Sequence, residues 1–296
     1  MTDVFVAGSL HWDIVVDAPR LPGLDETLMG HSVAYRFGGK GGNQAVAAAR
    51  MGASVAMAGL VGRDDAGRRL RAMMDASGVD HTQVFESDQP SGMSVAIVDE
   101  NGEYGAVVVS GANMRLVADN IVLPPNLKVL LLQNEVPESV NLALAKRSRD
   151  TARVILNAAP ARALPGDLLS CIDVLVVNRV EATALIGAED GPLDAEAAAR
   201  AICAMGPMSA VVTLGAEGLV VADASGAERL SAFSVDTVSS HGAGDMFCGA
   251  LAAEIAKGAT VREACRFGAA AAALAVSTPF AARDSITERA VRRLMG

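Results

Sequence analysis

From Leu123 onward, short apolar runs alternate with helical stretches, and no other feature constrains the fold as strongly. Val129 to Gln133, Val154 to Asn157, Val174 to Asn178 and Ala210 to Leu214 are almost continuously apolar. They are too short for helices and lack polar alternation, so they read as strands buried on both faces. Between them, Ser139 to Arg149, Glu181 to Ile186 and Asp194 to Met205 carry helical patterns. Strand–helix alternation of this kind needs a parallel sheet with helices on its two faces. Val4 to Ala7, ending at Gly8, and Val55 to Val61 read as further strands of the same sheet, and Asp65 to Ser77 as a charged amphipathic helix. A hairpin over Leu219 to Phe233 precedes a mostly helical last fifth. The expected class is α/β: a doubly wound, mostly parallel sheet flanked by helices.

Two early segments break that rhythm. Residues 14–37 are interrupted by Pro19, Pro22 and Gly30, and Ser94 to Asp99 faces Gly105 to Ser110 across Asn101-Gly102, a strong hairpin signal. They predict a small antiparallel sheet, formed by about 10–40 and 90–112, acting as a lid on a single domain spanning 1–296. Hydrophobic residues make up 51% and charged ones 20%, a globular balance. A net charge of −9 with 3% aromatics argues against nucleic acid as a partner. Cys171, Cys203, Cys248 and Cys265 lack metal or redox spacing and read as buried thiols of a reducing compartment. The start of the chain lacks a signal-peptide pattern and no apolar run is long enough to span a bilayer, so a soluble, cytoplasmic protein away from membranes is expected.

Three loops concentrate small and polar residues. In Ser239-Ser240-His241-Gly242-Ala243-Gly244-Asp245, a tight turn leads into an apolar helix. Free amides at such a helix start favour anions, and a carboxylate among them suits proton abstraction from an attacking hydroxyl. A plain loop with an N-capping Asp explains these seven residues equally well. In Gly38-Gly39-Lys40-Gly41-Gly42-Asn43-Gln44-Ala45, four glycines in five positions allow close approach of a ligand, ahead of an alanine-rich helix from Ala45 to Met51. His11-Trp12-Asp13 follows the first strand at its carboxyl end, where open α/β sheets place ligands.

Taken in order with Gly8-Ser9, Gly111-Ala112-Asn113, Gln133-Asn134-Glu135, Asn157-Ala158-Ala159-Pro160-Ala161-Arg162, Asn178-Arg179-Val180-Glu181 and Thr213-Leu214-Gly215-Ala216-Glu217-Gly218, these loops resemble the ribokinase-like (PfkB) family of carbohydrate kinases over nearly the whole chain. The match through 38–51 and 157–165 is closest to the members that phosphorylate ribose. The resemblance implies an ATP-dependent sugar kinase, with D-ribose converted to ribose 5-phosphate. A nucleoside kinase of the same fold, acting for example on pseudouridine, and an inactive sugar-binding regulator are the alternatives. It implies that Asp245 is the catalytic base and that Gly242, Ala243 and Gly244 stabilise the transferring phosphoryl group. His11, Asp13, Gly39, Lys40, Gly41, Gly42, Asn43 and Glu135 stand at sugar-binding positions. Asn178, Thr213, Leu214, Gly215, Ala216, Glu217, Gly218 and Gly244 stand at ATP-binding positions, and Glu181 at one that helps hold Mg2+, directly or through water. It also implies a homodimer formed through the lid.

The chain departs from the family at several points. His11-Trp12 replaces an Asn-containing pair, and Trp12 could equally wall a flatter, nucleoside-like substrate or fill the core. Ala269 stands where a His near adenine is usual, and Ala281-Ala282-Arg283-Asp284-Ser285 lacks a glycine. Ser239-Ser240 replaces the Asp-Thr that opens the catalytic motif, unless Asp236-Thr237 followed by a three-residue insertion is its counterpart. A K+ site at Ser239 and Ser285 is therefore an open expectation.

Overall fold

In the computed structural model, residues 2–100, 104–188 and 192–296 are described. The chain begins with β1 (Val4–Ala7), β2 (His11–Asp17), β3 (Ser32–Gly38), α1 (Lys40–Arg50), β4 (Val55–Gly62) and α2 (Asp65–Ala76). Then follow β5 (Asp80–Ser87), β6 (Met93–Val98), β7 (Tyr104–Val109), β8 (Val129–Gln133), α3 (Glu138–Ser148), β9 (Arg153–Asn157) and α4 (Gly166–Leu169). The remainder is β10 (Val174–Asn178), α5 (Arg179–Ile186), α6 (Ala195–Ala204), β11 (Ser209–Thr213), β12 (Leu219–Asp223), β13 (Gly226–Leu230), α7 (Ala243–Ala256), α8 (Val261–Ser277) and α9 (Glu288–Met295).

The large sheet has nine strands in the order β13-β12-β11-β10-β9-β8-β1-β4-β5, and its pairs are parallel from β5 through β11. Only β12 runs the other way, pairing antiparallel with β11 and β13. The reason the strands read as unbroken apolar runs is now visible. Phe5 and Ala7 of β1 enter one core with Leu130 and Leu132 of β8, under α3 to α6. Val4, Val6, Val129 and Leu131 point the opposite way into a second core, under α1, α2, α7 and α8. Both faces are covered, so residues of either parity must be apolar. Each valine, leucine or phenylalanine so removed from water stabilises the fold by about 1.5–3 kcal/mol before the entropy of folding is counted.

The lid is a separate four-stranded sheet, β3-β2-β6-β7. It is antiparallel within β2–β3 and β6–β7, while β2 and β6 run parallel where the two segments meet. The predicted Asn101-Gly102 turn lies outside the described residues. Two boundaries differ from expectation. Asp80 to Ser87 is a strand that its polar sequence conceals: it forms the sheet edge beside β4, and only Val84 is buried in it. The glycine-rich stretch is not a loop running to Ala45, because the helix already starts at Lys40, after Gly39 at φ +84°. Glycine is a poor helix former, but at Gly41 a Cβ would lie 2.6–2.8 Å from backbone atoms of Gly8 and Ser9, so packing against the β1–β2 turn demands it. Similarly, Gly249 lets α7 cross directly over α1, where a Cβ would meet Gln44 O at 2.6 Å. The helix bearing Asp245 is thereby held tightly against the helix bearing Asn43 and Gln44. None of the described helices is long and apolar enough to cross a membrane.

Candidate active site

The carboxyl ends of β1, β8, β9, β10 and β11 deliver Gly8-Ser9, Gln133, Asn157, Asn178 and Thr213 to one edge of the large sheet. Gln133 stands opposite Asn157, and Asn178 opposite Thr213. The amino ends of α1 and α7 reach the same region. Asp245 is the third residue of α7, not part of the turn before it, and Gly242 caps the helix in the left-handed conformation at φ 76°. The Ala243 N–H is turned back onto Ser240 O at 3.3 Å. Among the described residues the Gly242 and Gly244 amides have no hydrogen-bond partner, so of the three residues expected to cradle a phosphoryl group these two present free N–H groups.

The Asp245 carboxylate is only 9% exposed. Asn43 Nδ2 donates to Oδ2 at 3.1 Å and Gln44 Nε2 to Oδ1 at 3.0 Å. Gln44 is fixed in turn, donating to Asn157 Oδ1 and accepting from Gln133 Nε2 at 2.9 Å. Burial pushes the Asp245 carboxyl above its ordinary value, while the Lys40 ammonium and the two amide donors pull it back. Lys40 experiences the converse. Burial disfavours its charge, but the carboxylates of Asp245, Glu135 and Glu181 outweigh that and hold it above the usual lysine value. One cation thus lies in the field of three of the acids expected to function.

A cavity of about 270 Å³ opens between the lid and α7, with Asp13, Asn43, Gly242 and Asp245 on its polar wall and Trp12 and Phe37 among its aromatic ones. Asp13 is held by the Ser94 N–H at 3.1 Å and lies over Gly38, where a Cβ would strike its carboxylate. Trp12 does two things at once, lining the cavity and packing on the core beneath. Glu135 lies deeper. Its Oε2 accepts from Ser9 Oγ at 2.5 Å and from the Lys40 N–H at 2.9 Å, which anchors the start of α1. His11 does not line the cavity: it is 4% exposed, packed against Gly92, and its Nε2 has no partner.

Asn178 and Glu181 form a capping box on α5, with Asn178 Oδ1 accepting from the Glu181 N–H at 2.9 Å and Glu181 Oε2 from the Asn178 N–H at 2.8 Å. Burial raises the Glu181 carboxyl above its ordinary value, against the Asn178 N–H and Lys40, which lower it. Thr213 Oγ1 donates to Val177 O, and Gly215 to Glu217 form a short 3-10 turn between glycines of positive φ. Leu214 is buried beneath that turn, Ala216 is exposed, and Glu217 reaches across to Arg179 at 2.6 Å and Arg229 at 3.0 Å. These residues form a second locus at the sheet edge and contribute nothing to the cavity wall.

Other motif residues position rather than contact. Asn113 clamps Leu10 through bonds of 2.9 Å to its N–H and its carbonyl, and Arg162 donates to the carbonyls of Asn134 and Val136 on either side of Glu135. Gln44 and Arg283 were missed from sequence. Lys40, Asn43 and Gln44 have i, i+3, i+4 spacing, and that signal appears once the helix is started at Lys40.

The pfkB family carbohydrate kinase profile matches residues 1–288. A curated ribokinase of Haemophilus influenzae is 35% identical over 294 residues, covering 96% of this chain and 95% of that protein. A ribokinase of Bacillus subtilis is 32% identical, covering 98% and 97%. Among solved structures, Arabidopsis thaliana ribokinase complexed with ribose and ATP superposes with a TM-score of 0.89 at 29% identity, covering 100% of this chain and 99% of that one.

Proposed function

We propose that this chain, which belongs to the pfkB family of carbohydrate kinases, transfers the γ-phosphate of ATP to a hydroxyl of D-ribose, giving ribose 5-phosphate. One observation carries the reading: a buried carboxylate on the cavity wall, Asp245, fixed by two amide donors beside the unpaired amides of a helix start. In this reading Asp13 and Asn43 orient the sugar, and Asp245 takes the proton from the attacking hydroxyl. The Gly242 and Gly244 amides then receive the charge that spreads over the transferring phosphoryl group. Asn178 and the Thr213–Gly218 turn serve the nucleotide. Magnesium binds through one or two carboxylates and keeps several waters. Glu181 fits that demand, since its cap uses only Oε2, and the ion would neutralise phosphate charge there.

Phosphorylation of ribose, other pentoses, hexoses and nucleosides with Mg2+ and ATP tests the reading. Ribose is expected to give the highest kcat/KM. The aromatic walls of Trp12 and Phe37 make nucleosides the informative comparison, and a nucleoside turned over in place of ribose would reassign the substrate.

The lid carries a further consequence. Val33 and Tyr35 on β3 and Val107, Val108 and Val109 on β7 are 53–68% exposed, more apolar surface than one small sheet normally leaves in water. We propose that a second copy of the chain covers it. Light scattering should give a dimer mass, and Val107→Glu with Val108→Glu should shift it to the monomer. A wild-type protein that is monomeric at micromolar concentration counts against the pairing.

A further inference from the structure

The loop that leads into α7 is held by a cation that belongs to the chain. Arg283 is 7% exposed, and its guanidinium donates to three backbone carbonyls: from Nη1 to His241 O at 2.6 Å, from Nη2 to Ser239 O at 3.2 Å, and from Nε to Thr278 O at 3.2 Å. A Cβ placed on Gly242 would lie 3.4 Å from Nη1, so the charge is adjacent to the residue that caps the helix. The 3-10 turn bearing Arg283 (Phe280–Ser285) is anchored to α1, because Arg50 donates to Arg283 O at 3.3 Å and pairs with Asp284. The loop, the turn and α1 are therefore one connected unit around Asp245.

The residues do not fit a monovalent metal ion at this place. Such an ion needs several oxygens converging on one point, and the carbonyls of Ser239, His241 and Thr278 converge on the guanidinium instead. The two hydroxyls expected to help are directed elsewhere, Ser239 Oγ to the His241 N–H at 3.4 Å and Ser285 Oγ to Ala282 O at 2.7 Å.

We propose that Arg283 is a built-in replacement for a monovalent cation, a positioning residue that holds the Ser239–Gly242 loop in its anion-cradling form, so that this enzyme works without K+. The chemistry is direct. Three carbonyl oxygens crowded together repel one another and need a positive neighbour, and a planar guanidinium can serve several acceptors at once. The same positive charge lies beside Gly242, whose amide is free, where it favours negative charge on a phosphoryl group. Arg283 stays charged in this setting. Burial and the charge of Arg36 lower it only from a very high starting value.

The proposal rests on the kinase reading, so its test separates the two. Turnover by the wild-type enzyme is measured with Na+ or tetramethylammonium as the only monovalent cation, with and without added K+. Melting is followed under the same salts without substrate. Equal rates and equal melting temperatures are expected. Activation by K+, or a melting shift specific to K+, overturns the inference while leaving the kinase reading intact. Absence of turnover with every sugar and nucleoside removes the kinase reading, and the melting comparison still judges the cation site.

Arg283→Met, which keeps the stem and removes the charge, is expected to lower kcat by roughly 10²-fold, the usual cost of one preorganised electrostatic group. It should leave the KM for sugar nearly unchanged and make both rate and melting temperature respond to added K+ or to low guanidinium. Arg283→Lys should retain part of the rate. A Met variant that loses stability but gains no response to any cation would reduce Arg283 to a packing residue.

Discussion

Asp245→Asn is expected to lower kcat for sugar phosphorylation by about 10²–10⁴-fold, the range for loss of a general base, with KM for sugar and ATP changed little. The substitution preserves shape and keeps one oxygen to accept from Asn43 or Gln44. The other donor then faces an NH2 group, which costs about 1–3 kcal/mol if neither amide can rotate. Removal of a buried charge opposes that cost. Burial raises the folded carboxyl above its unfolded value. Its contribution to stability is therefore complete below the unfolded value and is lost as pH rises through the folded one. Above that folded value the ionised Asp245 is a liability, and there the Asn variant should melt near or above the wild type. Circular dichroism and a melting curve alongside the kinetics complete the test, and a folded variant with an undiminished rate would remove Asp245 from the role of base. In the wild type, kcat/KM should fall on the acid side through a value above that of an ordinary aspartate, because the proton accepted there disables the base.

The parts that sequence made legible are those where one force acted alone. The buried strands β1, β8, β9, β10 and β11 could be read from composition because both sheet faces are covered, which makes every position apolar. β5 escaped notice because an edge strand with one buried side chain is held mainly by backbone pairing to β4, and backbone bonds leave no trace in residue type. Asp13, Asn43 and Asp245, singled out from the sequence, line one cavity, because the polar residues that adjoin the glycine-rich turns lie near strand and helix ends that meet there. The start of α1 was misread for the opposite reason. Gly41 and Gly42 disfavour helix locally, and only the approach of the β1–β2 turn explains them. Arg283 was invisible because it binds carbonyl oxygens of residues about forty positions earlier, which any residue at those positions would supply.

Lys40→Met should show a second large loss, and its form distinguishes electrostatics from simple sugar contact. In the wild type the ammonium opposes the upward push of burial on both Asp245 and Glu181. Methionine fills a similar volume without charge, so both carboxyls move further up. For Asp245 only the Asn43 and Gln44 bonds then resist burial and the charge of Glu135. A base must be unprotonated to act. The acid limb of kcat/KM therefore moves to higher pH, and the loss is greatest at low pH and smallest at high pH. At neutral pH the expected fall is about 10²-fold, comparable to removing one preorganised stabilising group. Lys40 itself is held above the ordinary lysine value, so its own titration does not enter the assay range. Lys40→Arg keeps the charge and should keep the limb near its wild-type position, even if the longer fork lowers the rate. A pH profile for Lys40→Met that is uniformly depressed and unshifted, with a raised KM for sugar, would mean that Lys40 binds substrate without tuning the base. A shifted limb with an unchanged KM would tie the proton affinity of Asp245 to a lysine two hundred residues away, through a helix that the glycines of 39–42 bring against β1.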